Sequence, residues 1–255
     1  MALVIKNLDK SKSVKFKVNE PFKPHFTTII VGSPKQGKSN TAINIANHYK
    51  DVFTNCVIYS PSVKCDPKFK KIQIKNIEFM KEFDLKEFSD RFEKMILGVE
   101  NYNNKPKIKM SSEMEKFKKE CNIQCIDDNK EVHTLFIFDD LSGNTNVYNK
   151  FGSGVLYNSL VRHRHAKSSM MFLVHQYVNI PRCIRNLVEY VLLFDIIPPD
   201  QVEEIFNRLK FRCDTRKDQK EKIIELNNYI CEATEDKFNF AFIDYEAKKL
   251  GFNFE

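Results

Sequence analysis

The residues most suggestive of chemistry form a short glycine-containing run near the N-terminus. Residues 32–39 are Gly-Ser-Pro-Lys-Gln-Gly-Lys-Ser, which satisfies the phosphate-loop pattern G-x4-G-K-[ST] in full. The chain has only seven glycines, and two of them occupy the two glycine positions of this pattern. The run therefore predicts a loop that binds the phosphates of a nucleoside triphosphate. Its candidate binding residues are Gly32, Ser33, Pro34, Lys35, Gln36, Gly37, Lys38, Ser39 and Asn40.

The segments on either side of this loop favour a strand before it and a helix after it. Residues 25–31 are rich in β-branched and aromatic side chains, and residues 40–49 carry apolar side chains at helical spacing. In that arrangement the loop N–H groups and the positive end of the helix surround the β-phosphate. Lys38 spans the β- and γ-phosphate oxygens, and the Ser39 hydroxyl ligates Mg²⁺. The alternative is a glycine turn before a helix with a coincidental Lys-Ser pair.

A phosphate loop of this kind needs an acidic residue on a neighbouring strand, because Mg²⁺ prefers oxygen ligands. The apolar run from Leu135 to Phe138 predicts a strand buried on both faces, and Asp139 and Asp140 follow it directly. We expect Asp139 to be the magnesium-side acid. We expect Asp140 to point across the pleat and to polarise the attacking water. The alternative for this segment alone is two acids that begin a loop.

Residues 169–176 form another buried-strand pattern, which ends in a polar residue, Gln176. Gln176 is a candidate for contacting the γ-phosphate or its water, and the alternative is a solvated glutamine at a strand end. Parallel strands bind ligands at their carboxyl ends. The assignment therefore predicts that Lys38, Asp139 and Gln176 meet in one crevice at the same sheet edge.

Taken in order, these motifs resemble the viral genome-packaging ATPases of the FtsK/HerA superfamily, the poxvirus-type packaging ATPases of large DNA viruses and their virophages. The resemblance spans about residues 26–194 and includes two further segments. One is Arg-His-Arg-His at residues 162–165, and the other is Ile-Pro-Arg-Cys-Ile-Arg-Asn at residues 180–186, before a strand at residues 188–194. By motif, the resemblance assigns Lys38 and Ser39 to Walker A, Asp139 and Asp140 to Walker B, and Gln176 to the sensor position.

The resemblance implies a fold and an activity. The fold is an α/β RecA-like ASCE P-loop NTPase core, with a mostly parallel sheet, helices on both faces and a helical insertion before the Walker B strand. The activity is ATP hydrolysis, with ATP and Mg²⁺ as cofactors, that drives double-stranded DNA into a preformed capsid. The alternatives are another P-loop DNA translocase or helicase-like ATPase in replication or repair, and a nucleotide-binding switch or scaffold without motor activity.

The resemblance also implies partners and a location. The partners are double-stranded DNA bound without sequence preference, further copies of the chain in a homo-oligomeric ring (a pentamer or hexamer), and capsid vertex proteins. The location is the host cytoplasm or viral factory, including association with the virion, with no membrane partner.

The Arg-His segment supplies candidates for an arginine finger that reaches the nucleotide of a neighbouring subunit. By resemblance Arg164 is the first candidate, Arg162 the second, and Arg185 in the later segment the third. On a helix, Arg162 and Arg164 would point about 200° apart, so only one of them would face a given phosphate.

Length and composition are those of one large domain. The 255 residues are 42% hydrophobic and 29% charged, which leaves enough apolar material for a core. No apolar run reaches the roughly 18 residues that span a bilayer, and charge interrupts the N-terminus before a signal sequence develops, so we expect neither secretion nor membrane insertion. The seven scattered cysteines are expected to be reduced thiols. No second zinc-spaced pair follows Cys121-x3-Cys125, so we predict no structural metal.

Along the chain we expect an N-terminal arm or strand (residues 1–25) and one RecA-like P-loop ATPase domain (residues 26–255). Within that domain we expect a helical insertion at about residues 78–130, and helices followed by an edge strand at about residues 199–250. The net charge of +7 and the basic clusters at residues 68–71, 105–109 and 208–217 provide positive charge for a polyanion. We assign residues 105–109 to a pore-facing loop.

Overall fold

The computed structural model describes residues 4–5, 14–15, 22–23, 25–62, 67–103, 133–141, 147 and 150–254. Its strands are β1 (Val4–Ile5), β2 (Val14–Lys15), β3 (Thr27–Val31), β4 (Asn55–Tyr59), β5 (Asn76–Met80), β6 (Thr134–Asp139), β7 (Ser168–Val174), β8 (Tyr190–Leu193), β9 (Ala241–Asp244) and β10 (Lys249–Phe252). Its helices are α1 (Lys38–His48), α2 (Leu85–Asn103), α3 (Lys150–Arg162), α4 (Arg182–Arg185), α5 (Pro199–Leu209) and α6 (Arg216–Ala233), with short 3-10 helices at Pro67–Lys71 and Tyr177–Asn179.

Eight of the strands form one sheet in the order β10-β9-β8-β3-β7-β6-β4-β5. The six strands from β8 to β5 are parallel, and β9 and β10 continue the sheet antiparallel to β8 and to each other. Strand β3, which leads into the phosphate loop, is thus flanked by β8 and β7, and β7 is flanked in turn by β6. The separate pair β1 and β2 forms a small antiparallel ribbon.

Two apolar cores cover the two faces of the sheet, because successive side chains of a strand point to opposite faces. In β3, Ile29 belongs to one core and Ile30 to the other. Helix α1 covers one face, and helices α2, α3, α5 and α6 cover the other. Strands buried on both sides are therefore apolar along most of their length. This explains the uninterrupted apolar runs in the sequence, and the predicted α/β fold with a mostly parallel sheet is confirmed.

The structure corrects the prediction at the start of the inserted region. Residues 76–80 form the parallel edge strand β5 and not a helix, and helix α2 follows as the crossover towards β6. Apolar side chains mixed with charged ones are also compatible with an edge strand, which tolerates charge. Glu78 of β5 accepts hydrogen bonds from Arg91 of α2, one of them at 2.9 Å, so the charge pattern joins a strand to its own crossover helix.

The C-terminal prediction is also corrected. The alternating segment at residues 238–245 contains strand β9, which lies between β8 and β10 and is not an edge. The edge is formed by β10, beyond the predicted strand. Alternation of buried and half-buried side chains indicated one covered face and gave no information on strand order. The helices predicted near residues 199–209 and 218–233 are present as α5 and α6.

Several predictions lie outside the described residues. These are the pore-facing assignment of residues 105–109 and the Cys121 and Cys125 pair. Most of the N-terminal arm also lies outside them. The four cysteines that the structure describes, Cys56, Cys183, Cys213 and Cys231, are free thiols.

Candidate active site

The phosphate loop joins the end of β3 to the start of α1, as the sequence predicts. The Gly32 N–H donates to the carbonyl of Val174 at the end of β7, at 3.2 Å, which fixes the entry to the loop. A Cβ at Gly32 would lie 2.7 Å from the Cβ of Phe194, so only glycine fits there. Gly37 has a φ of 111°, a left-handed conformation that glycine adopts readily, immediately before the helix begins.

Lys38 begins α1 and is buried at the centre of the loop. Its ammonium group donates to the carbonyls of Gly32 and Ser33, the latter at 3.1 Å, and lies 3.1 Å from Nδ1 of His175. Burial lowers the pKa of Lys38, and the nearby carboxylates of three aspartates oppose that shift: Asp139, Asp140 and Asp195. Backbone carbonyls, an imidazole and carboxylates thus surround the Lys38 side chain at the centre of the loop.

The two acids after the apolar strand have different environments. Asp139 is the last residue of β6, is buried, and accepts a hydrogen bond from the hydroxyl of Ser60 at 2.8 Å. Asp140 is exposed and has a φ of 49°. Its N–H donates to the carbonyl of Leu173 in β7 at 3.1 Å. The left-handed backbone turns Asp140 away from the line of β6 and into the crevice beside β7.

His175 joins the lysine to the second acid, and the sequence analysis did not identify it. Its Nε2 lies 3.2 Å from Oδ2 of Asp140, while its Nδ1 faces Lys38. Because an ammonium group can only donate, Nδ1 of His175 must accept, so the ring proton is on Nε2 and is donated to the carboxylate. The available signal was a histidine directly after a buried strand that ends at the nucleotide edge.

Gln176 lies at the same sheet edge, one residue further on. Its side chain is exposed, and it immediately precedes the short 3-10 helix Tyr177–Asn179. The structure thus places Lys38, Asp139 and Gln176 at the same ends of the parallel strands, as predicted. The residue after β7 that contacts Lys38 and Asp140 directly is His175.

The opposite flank of the loop is held by the residues that follow β8. Asp195 accepts a hydrogen bond from the N–H of Ser33 at 2.6 Å and one from the side-chain amide of Gln36 at 3.4 Å. This carboxylate fixes the first turn of the phosphate loop. Neither Asp195 nor the adjacent Phe194 was selected from the sequence, because no local pattern links them to residues 32–37.

Two of the three arginine candidates lie at the amino ends of the strands, away from the phosphate loop. Arg162 is the last residue of α3 and pairs with Glu93 of α2, one contact being 3.0 Å. Arg164 lies in the turn before β7, not on a helix as assumed, and pairs with Glu189 at 2.5 Å. The Arg164 side chain is 64% exposed, so it remains accessible to another molecule.

Arg185, the third candidate, is used inside the subunit. It is 7% exposed, donates to Glu204 of α5 at 2.9 Å and to the carbonyl of Tyr177 at 3.3 Å, and its guanidinium lies over the Tyr177 ring. Moving this side chain to a neighbouring subunit would leave Glu204 without the charge that it faces. The structure therefore favours a role for Arg185 in joining α4 to α5.

The residues at the loop suit a magnesium nucleotide. Among the described residues there is no group of three or more His, Cys, Asp or Glu side chains able to hold a metal ion by itself. Mg²⁺ in nucleotide sites takes one or two protein oxygens and completes its shell with phosphate oxygens and water. The Ser39 hydroxyl and the Asp139 carboxylate are of the type and number that such an ion requires.

The family described as poxvirus A32 protein matches residues 92–245, which is more than half of the chain. The chain belongs to this family. The matched residues include Asp139 and Asp140, the arginine candidates and His175, and they begin after the phosphate loop. The resemblance inferred from the sequence motifs is thus confirmed, and the phosphate loop is an additional and separate observation. No curated protein matches the sequence.

Three structures illustrate the fold that this A32-family chain shares. The genome packaging NTPase B204 of Sulfolobus turreted icosahedral virus 2, in complex with AMPPCP, is 14% identical with a TM-score of 0.54, over 91% of this chain and 98% of that chain. B204 of Sulfolobus turreted icosahedral virus, a DNA-packaging ATPase, is 10% identical with a TM-score of 0.52 over the same shares. The conjugation coupling protein TcpA of pCW3 is 14% identical with a TM-score of 0.51, over 94% of this chain and 62% of that chain. At these identities the likeness establishes the RecA-like fold.

Residues of two basic clusters lie in different environments in the described part of this A32-family chain. In the 3-10 helix Pro67–Lys71, Phe69 is buried, while Lys70 and Lys71 are exposed. Arg208 donates to two backbone carbonyls, of Arg185 and Val188, and is held inside the subunit.

Within the described residues, no helix is both long and apolar enough to cross a bilayer.

Proposed function

We propose that this chain is an ATP-driven translocase that packages a viral genome, as double-stranded DNA, into a preformed capsid. The observation that carries the proposal is the meeting of Lys38, Asp139 and Asp140 at one sheet edge, in a member of the A32 family. The related fold of B204, a genome packaging NTPase described in complex with AMPPCP and ATP-gammaS, supports the ATPase assignment.

In the proposed reaction the loop N–H groups and Lys38 bind the β- and γ-phosphates. Lys38 then exchanges its contacts with the Gly32 and Ser33 carbonyls for phosphate oxygens, which favour its charged form. When bound, Mg²⁺ supplies charge neutralisation at the phosphates, with Ser39 and Asp139 as its protein ligands. The role of Ser60 is to orient the Asp139 carboxylate through their hydrogen bond.

The remaining residues act on the attacking water. Asp140 faces the crevice and is the carboxylate placed to accept a proton from that water. His175, held by Lys38 on one side, donates to Asp140 and fixes its orientation. This assigns His175 a positioning role and leaves Gln176 as a candidate for contacting the γ-phosphate in the bound state.

The active unit we propose is a homo-oligomeric ring, a pentamer or hexamer. Ring interfaces are head-to-tail, and we place the carboxyl ends of the strands of one subunit against the amino ends of the next, where Arg164 and Arg162 lie. The exposed Arg164 is our first candidate for completing the neighbour's site, and Arg162 the second. An open cavity of about 800 Å³ lies beside Arg164 and is lined by charged residues of both signs, which suits contact with a polar surface.

The substrate we propose is duplex DNA gripped through its phosphates. The net charge of +7 attracts the DNA phosphates. A motor that moves along any genome must bind phosphates without contacts that depend on the base sequence. Residues 105–109 remain our candidate for the pore-facing contact. We place the protein in the host cytoplasm or viral factory, associated with the virion and docked on capsid vertex proteins.

The test is ATP hydrolysis measured across a titration of protein, with blunt duplex DNA, single-stranded DNA and no DNA. We expect stimulation by duplex, no unwinding, a rate per subunit that rises with protein concentration, and loss of stimulation as salt is raised. Stimulation by single strands together with unwinding would favour a helicase-like ATPase. Hydrolysis that ignores both DNA and protein concentration would favour a nucleotide-binding switch and overturn the proposal.

A further inference from the structure

The proposed function fixes the direction in which the nucleotide must lie. In that proposal the γ-phosphate lies beside Asp139, Asp140 and His175, which end or directly follow β6 and β7 on one side of β3. The nucleoside half must therefore extend to the other side of the loop, towards the residues after β8 and the segment that precedes β9. On this side lie Phe194, Asp195 and Phe238.

Phe238 is an unusual residue in this position. Its ring atom Cδ1 is 3.3 Å from the place that a Cβ of Gly37 would occupy, so the ring lies against the last turn of the phosphate loop. It nevertheless remains 39% exposed, although a large apolar side chain is usually covered. Its backbone has a φ of 79°, a conformation that bulky residues rarely adopt.

The turn that carries Phe238 is held firmly by its neighbours. The N–H of Asn239 donates to the carbonyl of Asp236 at 3.1 Å, and the Asn239 side chain accepts from Asn253 at 3.1 Å. Asn253 in turn accepts from the N–H of Phe240 at 2.9 Å. These contacts keep the ring beside the loop in spite of the unfavourable φ. The Lys237 ammonium lies 5.1 Å from the ring centroid and adds positive charge on the same side.

We propose that Phe238 is a nucleobase-stacking residue, whose ring packs against the adenine of the ATP held by the phosphate loop. The inference rests on the proposed function, because it needs a nucleotide whose phosphates occupy the loop. Stacking on an aromatic face tolerates any base, since every base presents a π-face. The contact therefore adds affinity for a nucleotide over a base-free polyphosphate, without selecting strongly between adenine and guanine.

The simpler role for this ring is to cover Gly37 and Phe194 as part of the core, and the two roles predict different binding data. A stacking residue contributes to ATP binding and not to binding of inorganic tripolyphosphate, which has the phosphates alone. A covering residue supports the loop itself, so its loss weakens both ligands equally.

The experiment is calorimetric binding of ATP and of tripolyphosphate, each with Mg²⁺, to the full chain and to four variants. We expect Phe238→Ala and Phe238→Leu to weaken ATP binding about tenfold while tripolyphosphate binding is unchanged. Phe238→Tyr should bind both ligands as the parent chain does. Phe79→Ala is the matched control, because Phe79 is 40% exposed but lies on the distant edge strand β5.

Phe238→Leu retains an apolar cover over Gly37, so its result does not depend on whether Phe238→Ala folds. Equal loss of ATP and tripolyphosphate in Phe238→Leu, or unchanged ATP binding, would overturn the inference and leave the ATPase proposal intact. If the parent chain binds neither ligand, the proposed function itself fails and this inference fails with it.

Discussion

At the scale of single residues, Asp139 and Asp140 are neighbours in sequence that the backbone separates in role. Asp139 is buried and hydrogen-bonded to Ser60, while Asp140 is exposed and faces His175. A buried carboxylate at a strand end suits a fixed ligand, and an exposed one in the crevice suits proton transfer to or from water. The division of labour proposed here follows from these two environments.

This division of roles predicts that replacing each aspartate by asparagine causes a different defect. Asp139→Asn should weaken magnesium-dependent ATP binding, because an ion ligand loses its charge. Asp140→Asn should bind ATP normally but hydrolyse it about 100-fold more slowly, because the base is lost. Calorimetry with and without Mg²⁺, together with steady-state rates, measures both. Weaker binding in Asp140→Asn than in Asp139→Asn would reverse the assignment.

His175 gives a second prediction at this scale. His175→Ala should lower turnover about 10- to 100-fold with little change in ATP affinity, because Asp140 loses the group that orients it. His175→Gln, which can both accept and donate, should restore part of the rate. His48→Ala, at the far end of α1, should keep the parent rate. A loss confined to ATP affinity would assign His175 to binding and not to positioning.

At the scale of elements, the loop is shaped by the strand beside it as much as by its own glycines. Phe194 follows β8 and approaches Gly32 so closely that no side chain fits between them. Asp195, the next residue, accepts the Ser33 N–H. The end of β8 thus forms one wall of the phosphate loop, and this contact joins residues about 160 positions apart in the chain.

The close contact between Phe194 and Gly32 predicts that two glycine-to-alanine changes differ in their effects on stability and on ATP binding. Gly32→Ala should destabilise the fold by about 1–3 kcal/mol and abolish ATP binding, since the added methyl would overlap Phe194. Gly154→Ala in helix α3 should stabilise the fold by about 1 kcal/mol, because that position is open and alanine favours helix. Thermal unfolding and nucleotide binding measure both variants. Normal ATP binding by Gly32→Ala would show that the loop tolerates a different path.

At the scale of the whole molecule, the two ends of the parallel strands carry different residues. The phosphate loop and the acids lie at the carboxyl ends, while Arg162 and Arg164 lie at the amino ends. The length of β7 separates Arg164 from His175, so neither arginine can reach its own subunit's loop. If either of these two arginines acts on the nucleotide, it must act between subunits.

This geometry predicts complementation between inactive subunits. Lys38→Ala and Arg164→Ala proteins should each be inactive alone and should partly recover hydrolysis when mixed, because one supplies the finger and the other the loop. Arg185→Ala should instead lower the melting temperature, since it removes the guanidinium that donates to Glu204, and mixing it with Lys38→Ala should not restore hydrolysis. Hydrolysis measured across mixing ratios tests this. No recovery at any ratio would remove Arg164 from the proposed interface.

The amino-acid sequence alone determined the elements of this protein and the loop at their centre. The phosphate-loop pattern is contiguous, and strands buried on both faces are apolar along most of their length, so neighbouring residues are enough to recognise both features. The order of such motifs gave the resemblance to packaging ATPases, which the family match confirmed. The sequence pattern did not place the edge strand β5 or the half-buried strand β9 in the sheet. Charge on β5 and alternation on β9 are each compatible with more than one position.

Only the tertiary structure decided which side chains complete the site. His175, Asp195 and Phe238 reach the phosphate loop from β7, β8 and the segment before β9, and no local spacing encodes those contacts. The same holds for Arg185, whose place in the sequence suggested a finger and whose partner Glu204 lies on another helix. Parallel strands bring distant chain segments to one edge, and packing then selects the residues that meet there.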